Sequence, residues 1–361
     1  MAIIVRLGPR SYPIHLEHSY RSLPSHLKAL DLPRRAVVVS HPQLLQRFGL
    51  ELLPVLRRAG WEVAVQPIPA AESSKSLDVA QRIIRTTAQH AARHVPLLIA
   101  FGGGVVGDVT GFAAAIYRRG VPYIQLPTTL LAQVDSAIGG KVGVDASFGK
   151  NLLGAFHQPA LVFSHLGLLR HLPIRQRRSG LSEIIKYGVI EDRMLFEFLE
   201  RKLDACLAGS LAADRFMVER CARIKARVVS QDEREARGVR TVLNFGHTIG
   251  HALETATGYT KLTHGEAIAV GMACAGEMSR RLGLWSSRDQ ERLLELFERA
   301  GLPTTMRGVA PKLVERAVQH DKKFVDGRMR WVLPIRIGAV TVTTKVPASL
   351  VLETIRQQIG T

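Results

Sequence analysis

The feature that most restricts the fold is a glycine run entered from a strand and left by a helix. Val95–Ala100 is a short apolar segment with its proline at the entry, where a strand tolerates it, and it leads directly into Phe101-Gly102-Gly103-Gly104-Val105-Val106-Gly107-Asp108. Helical periodicity resumes near Val109. Upstream, Arg35–Ser40 reads as a strand, Pro42–Ala59 as a helix ended by Gly60, Trp61–Pro67 as a strand, and Leu77–His94 as a helix with Ser76 at its N-cap. Strands that alternate with helices in this way predict a parallel sheet covered by helices.

From about Arg175 the pattern changes. Long helical periodicities run over Arg193–Ala208, Leu211–Val229, His247–Ala256 and Gly265–Leu282. The 361 residues suit two domains: an α/β N-terminal domain over 1–175 and a mainly α-helical C-terminal domain over 176–361, divided near Pro173–Gly180. No internal repeat or low-complexity segment interrupts this pattern.

Composition narrows the class. The three cysteines, Cys206, Cys221 and Cys274, form no CxxC pair, which argues against a disulfide framework or a zinc knuckle and fits a cytoplasmic protein. No signal peptide is visible, and the apolar stretch Val95–Tyr117 carries Pro96, Asp108 and five glycines, so no membrane helix is expected. The net charge of +18 invites a nucleic-acid reading. Basic residues lie in small clusters without interleaved aromatics, however, and aromatics total 6%, so a basic surface around an enzyme of anionic ligands is the preferred reading.

Gly102, Gly104 and Gly107 match GxGxxG in letter. Glycines after a strand let backbone N–H groups approach a pyrophosphate, and the helix N-terminus adds favourable partial charge. The expectation is a Rossmann-like parallel sheet with a dinucleotide site of unusual form. The turn follows the third strand of the alternation, and no carboxylate lies about twenty residues on to hold a ribose.

His247 and His251 stand four apart and share one face of a helix. The protease motif HExxH would need Glu where Thr248 stands. Further ligand candidates are His264, in Thr263-His264-Gly265-Glu266, and Glu183, which a helix would present toward the same cleft as Lys186. A catalytic metal takes three protein ligands and keeps a position for water or substrate. The histidines sit beside glycines or small residues, where an ion could approach. His90, His94 and His157 lack such company and read as ordinary hydrogen-bonded residues.

Asp135–Asp145 and Phe148–Gly154 place Lys141 and Lys150 among glycines, soon after Pro127-Thr128-Thr129. Such lysines are poor helix or strand material and suit loops that bind phosphate or carboxylate.

Six segments together resemble the 3-dehydroquinate synthase family of sugar-phosphate cyclases: GGGVVGDVTGFAAAIYRRG (102–120), QLPTTLLAQVDSAIGGKVGVD (125–145), GKNLLGAFHQP (149–159), SGLSEIIKYG (179–188), LNFGHTIGHALE (243–254) and HGEAIAVGM (264–272). The resemblance runs over nearly the whole chain, including the DKK at 321–323.

The resemblance implies Glu183, His247 and His264 as ligands of a divalent metal, zinc or cobalt. It implies NAD held by Glu72, Lys75, Gly103, Gly104, Val105, Val106, Gly107, Asp108, Thr128 and Thr129, with Lys141 and Lys150 nearby. A phosphorylated sugar acid would meet Arg119 (from the partner subunit of a homodimer), Lys141, Lys150, Asn151, Lys186, Lys225, Arg240, Asn244 and the pair Lys322 and Lys323. Asp135 would lie by the ring hydroxyls, and His251 would transfer protons rather than ligate. The implied chemistry is oxidation by NAD, elimination of phosphate, reduction, ring opening and aldol closure, the second step of the shikimate pathway, with metal as Lewis acid and the cofactor regenerated.

The chain departs from the family pattern at Asp145, usually Asn, and at His165, near which an acidic residue is common. Ser40-His41-Pro42 lacks the Asp or Asn often found near the adenine ribose. The segment Asp232–Arg240 is one residue longer than the usual form, while the spacing from Arg240 to Asn244 and His247 is kept. Sibling cyclases share the metal ligands but act on other sugar phosphates, and Arg240, Asn244 and His251 fit a carboxylate-bearing substrate better. Iron-type alcohol and glycerol-1-phosphate dehydrogenases share the glycine turn and the PTT segment and form the second enzyme class weighed.

Overall fold

The computed structural model describes residues 2–146, 149–319, 324–325 and 328–360. The chain forms two compact units: residues 1–172 with 214–234, and residues 173–213 with 235–361.

In the first unit, β1 (Ile3–Val5), β2 (Tyr12–Glu17), β3 (Arg35–Ser40), β4 (Glu62–Pro67), β5 (Leu97–Gly102), β6 (Tyr123–Pro127) and β9 (Leu161–His165) make one sheet, in the order β1-β2-β9-β6-β5-β3-β4. Only the β1–β2 pair is antiparallel; the other pairs are parallel. Buried Val, Ile, Leu and Phe side chains fill both faces. One face packs with α1 (Leu23–Ala29) and α2 (Pro42–Arg58), the other with α3 (Leu77–Ala91) and α4 (Gly104–Ile116). A parallel sheet covered on both sides needs near-continuous apolar strands, and β3 and β5 supply them. Since β3 feeds α2 on one face and β5 feeds α4 on the other, the topological switch lies where Ser40 and Gly102 end their strands.

Three expectations change here. The two short N-terminal strands make β5 the fifth strand of the chain. Helix α4 begins at Gly104, not near Val109, so Gly104 and Gly107 form its first turns. Lys141 and Lys150 lie in a hairpin, β7 (Lys141–Ala146) with β8 (Gly149–Phe156), rather than in open loops. Its glycines serve strand contact: a Cβ at Gly143 would stand 2.9 Å from the Leu153 carbonyl oxygen, and one at Gly154 would stand 2.8 Å from that of Val142.

The second unit holds α5 (Ile174–Ile190), α6 (Arg193–Leu207), α8 (His247–Ala256) and α9 (His264–Arg281), with further helices at Ser287–Arg299, Pro311–Gln319 and Ala348–Gln358. Between α6 and α8 runs α7 (Leu211–Gln231), which from Asp214 belongs to the first unit, whereas the sequence reading put all of 176–361 in the second. Ala222, Ala226 and Val229 of α7 pack with Ile3, Val5, Ile14 and Val162 of the sheet.

Candidate functional site

In the first unit, the functional groups gather around the start of α4. Its N-cap, Gly103, offers no side chain, and among the described residues no side chain caps the helix, so the first-turn N–H groups are presented without a side-chain acceptor there. The glycines make a shallow cradle. A Cβ at Gly103 would meet the Thr129 methyl at 3.1 Å, one at Gly104 the Ser136 hydroxyl at 3.2 Å, and one at Gly107 the Gln125 amide at 2.8 Å. Thr128 N–H donates to the Gly102 carbonyl (3.0 Å), and the Thr129 hydroxyl accepts from Ala132 N–H (3.2 Å), which seats both threonines against the turn. The Ser40 and Ser136 hydroxyls are buried and have no hydrogen-bond partner among the described residues. Orphaned donors beside an open helix N-terminus fit a polar anionic ligand such as a dinucleotide.

Charged residues tie the hairpin to this turn. Lys75 Nζ pairs with Asp108 Oδ2 at 2.8 Å and donates to Asn151 Oδ1 at 2.5 Å, while Lys150 Nζ pairs with Glu72 Oε1 at 2.7 Å. Burial opposes the Lys75 charge, yet Asp108, Glu72 and Asp145 outweigh it and raise the lysine's pKa. Asp145, where the pattern has Asn, accepts the Asn151 N–H at 2.9 Å and holds that residue in its left-handed conformation, φ +53°. Lys225 on α7 donates to both the Asp135 carbonyl and its carboxylate, each at 2.6 Å. Lys141 is exposed at the start of β7. Arg119 is exposed and left-handed, φ +65°. His165 caps the turn that follows β9 through Gly167 N–H (3.1 Å) and faces Glu51 at 3.2 Å, a structural duty that accounts for the departure there.

In the second unit, α5, α8 and α9 converge. Residues 179–190 of α5 are buried, which leaves Glu183 fully buried, and a carboxylate so placed requires cationic or metal partners. Its Oε1 faces Nε2 of His247 at 3.6 Å and Nε2 of His264 at 3.5 Å, and its Oε2 pairs with the buried Lys186 ammonium. The far ring nitrogens are also engaged. His247 Nδ1 lies 3.0 Å from the Phe245 carbonyl, and His264 Nδ1 lies 3.3 Å from Glu254 Oε1. Each partner accepts an Nδ1–H, which turns Nε2 toward the common point, the arrangement that orients metal-bound histidines. Glu183, His247 and His264 can each offer one ligand atom within 4.8 Å of the others. One carboxylate and two imidazoles suit zinc or cobalt with a position open to substrate.

His251, Glu254 and His264 meet the same distance criterion, but Glu254 is already on the outer nitrogen of His264. His251 is exposed, with its ring 5.2 Å from that of His247. The glycines flanking these histidines serve the packing of the helices rather than the approach of an ion. A Cβ at Gly271 would stand 1.9 Å from the Gly246 carbonyl oxygen, one at Gly250 3.1 Å from that of Ala267, and one at Gly265 2.2 Å from that of Ser179. Arg240 is buried, with Nε 3.3 Å from Glu235, and the lengthened segment turns through left-handed Glu235 and Gly238. Asn244 closes the same short helix, Val239–Asn244. Lys322 and Lys323 lie outside the described residues.

Two family models match: 3-dehydroquinate synthase N-terminal over residues 65–179 and 3-dehydroquinate synthase C-terminal over 180–324. The chain belongs to the 3-dehydroquinate synthase family. A 3-dehydroquinate synthase of Desulforamulus reducens is 43% identical over 98% of this chain and 99% of its own, and one of Nostoc punctiforme is 42% identical over 98% of each. Among solved structures, a 2-epi-5-epi-valiolone synthase from Streptomyces hygroscopicus with NAD+ and Zn2+ bound superposes with a TM-score of 0.90 at 27% identity, covering 98% of both chains. A 2-deoxy-scyllo-inosose synthase with carbaglucose-6-phosphate, NAD+ and Co2+ gives 0.87 at 26%, covering 99% of this chain and 100% of its own. A glycerol dehydrogenase of Sinorhizobium meliloti shares the fold at 15% identity, TM-score 0.64.

Within the 3-dehydroquinate synthase family frame, the residue that sequence reasoning missed is Glu254. Its signal was present: His247, His251 and Glu254 follow i, i+4, i+7 spacing and share one face of α8.

Proposed function

We propose that this chain is a 3-dehydroquinate synthase, a carbon–oxygen lyase that converts 3-deoxy-D-arabino-heptulosonate 7-phosphate to 3-dehydroquinate and phosphate by oxidation, elimination, reduction, ring opening and aldol closure. The observation that carries the reading is the single buried carboxylate facing two imidazole Nε2 atoms, in a chain matched along its length by curated 3-dehydroquinate synthases.

Glu183, His247 and His264 would hold Zn2+ or Co2+, and the Gly103–Asp108 turn with Thr128, Thr129, Glu72 and Lys75 would hold NAD. When bound, the ion supplies Lewis acidity at the substrate's oxygens and the nicotinamide supplies a reversible hydride acceptor. The rest falls to side chains of the chain. Arg240 and Asn244 bind the substrate carboxylate by charge and amide hydrogen bonds. Lys141, Lys150, Asn151, Lys186 and Lys225 hold anionic and hydroxyl oxygens, with Lys322 and Lys323 in the same role, and Asp135 accepts from a ring hydroxyl. His251 moves protons at its exposed imidazole, one helical turn from His247.

The NAD-binding part would be 1–175, joined by 214–234, and it also supplies Asp135, Lys141, Lys150, Asn151 and Lys225 to the substrate, while the remainder carries the ion ligands with Lys186, Arg240, Asn244 and His251. Arg119 is exposed in a strained conformation and makes no hydrogen bond or ion pair to another described residue, which supports its donation across a homodimer, and the three free cysteines suit a cytoplasmic protein. No helix among the described residues is long and apolar enough to cross a membrane.

The test is phosphate release from 3-deoxy-D-arabino-heptulosonate 7-phosphate against sedoheptulose 7-phosphate, with NAD and metal measured on the same sample. Release from the first alone, abolished by EDTA and restored by Zn2+ or Co2+, is expected. Turnover of sedoheptulose 7-phosphate alone would move the chain to a sibling cyclase.

A further inference from the structure

We propose that His15, Glu17 and His26 form a second divalent-metal site, sharing no residue with the Glu183 centre, that takes Zn2+ and clips α1 to the edge of the sheet. The three side chains offer one ligand atom each within 4.8 Å of one another, and all are half-buried.

The local fold brings them together. Along β2 the buried Tyr12 and Ile14 pack on one face with α7, so His15 and Glu17, two apart, project from the other. Helix α1 lies on that side. Its Leu23 and Leu27 enter the core beside Phe163, and His26, between them in sequence, places its ring 5.9 Å from the Phe163 ring and 3.8 Å from that of His15. The two imidazoles lie at 32° to each other, close to parallel.

Two observations favour an ion over a simple ring stack. None of the three side chains makes a hydrogen bond or ion pair with another described residue, so an ion would have no such bond to break at their ligating atoms. The donor set is also chemically matched: two imidazoles and one carboxylate are the ligands of many zinc sites that leave a fourth position to water. An unperturbed imidazole is mostly neutral above about pH 7, the form that ligates. Zinc bonds of about 2.0–2.1 Å place tetrahedral ligand atoms roughly 3.4 Å apart. Binding therefore draws the three groups inward, by rotation of side chains that are only half packed.

Because His15 and His26 lie on different elements, an ion there ties the N-terminal edge of the sheet to its first helix. Its effect is on stability and not on chemistry.

The test is the stoichiometry of Zn2+, titrated alone into the metal-free full-length protein against a chromophoric chelator. Wild type is expected to bind two ions per chain, and His26→Ala and Glu17→Gln one each, with turnover unchanged. Glu183→Gln should also bind one, and Zn2+ should raise the Tm of that variant but not of Glu183→Gln combined with Glu17→Gln. A wild type with one ion that Glu17→Gln leaves in place, or two ions still bound by folded His26→Ala and Glu17→Gln proteins, overturns the proposal. A wild type with one ion that Glu17→Gln removes and Glu183→Gln leaves would instead overturn the assignment of the Glu183 centre and uphold this one.

Discussion

Glu254 Oε1 lies 3.3 Å from Nδ1 of His264, on the side of the ring opposite Glu183. The imidazole is held between two carboxylates: Glu183, with which it would share an ion, and Glu254, which fixes its orientation. Glu254→Gln should therefore keep the fold and weaken zinc binding by about 10–100-fold, the usual effect of losing an outer partner. Competition titration reads this directly; an unchanged affinity would mean that Glu254 merely neighbours the centre.

The same pair sets a pH dependence. Burial disfavours a charged His264, but Glu183 and Glu254 outweigh it and raise the pKa to about 10 in the metal-free protein. A raised pKa contributes stability that is fully present below the ordinary histidine value of about 6.5 and is lost as pH rises through about 10. Zinc must displace this proton, so its affinity should rise with pH across that window, and binding at pH 8 should release about one proton from His264. Calorimetry in buffers of different ionisation enthalpy measures the release; none would contradict the protonated ring.

His251 stands one turn from His247 with its imidazole exposed. His251→Ala should retain the ion and lose rate by about 10²–10⁴-fold, as expected for a positioned proton-transfer group. Loss of metal in this variant would make His251 a ligand instead.

Asp108 is the carboxylate partner of the buried Lys75. Asp108→Asn leaves that ammonium without its closest counter-charge and should cost about 1–3 kcal/mol of stability, with weaker NAD binding in the same protein. Urea unfolding and fluorescence titration with NAD test the two halves. Wild-type behaviour in both would assign the pair no part in the turn.

Much of this was legible in the sequence because buried strands and amphipathic helices carry their own periods. Arg35–Ser40 and His247–Ala256 fall where the pattern puts them. The start of α4 is hidden in the sequence because Gly104 and Gly107 are poor helix formers, and their place is fixed by the closeness of Ser136 and Gln125, which no local rule contains. Likewise, the period of α7 announces a helix but not which body it covers, so Ala222 and Val229 joined the sheet unannounced. The candidate ligands Glu183, His247 and His264 could be named from their types and the resemblance, and the structure brings them together. The partners of their outer nitrogens, the Phe245 carbonyl and Glu254, required coordinates.

The close approach of Gly271 to the Gly246 carbonyl also bears on how other sequences are interpreted. A homologue that keeps Glu183, His247 and His264 letter for letter would still fail to seat them if either glycine gained a side chain. Absence of bulk at these two positions is thus as diagnostic as the ligands themselves. A search that scores only the ligand letters would count impostors.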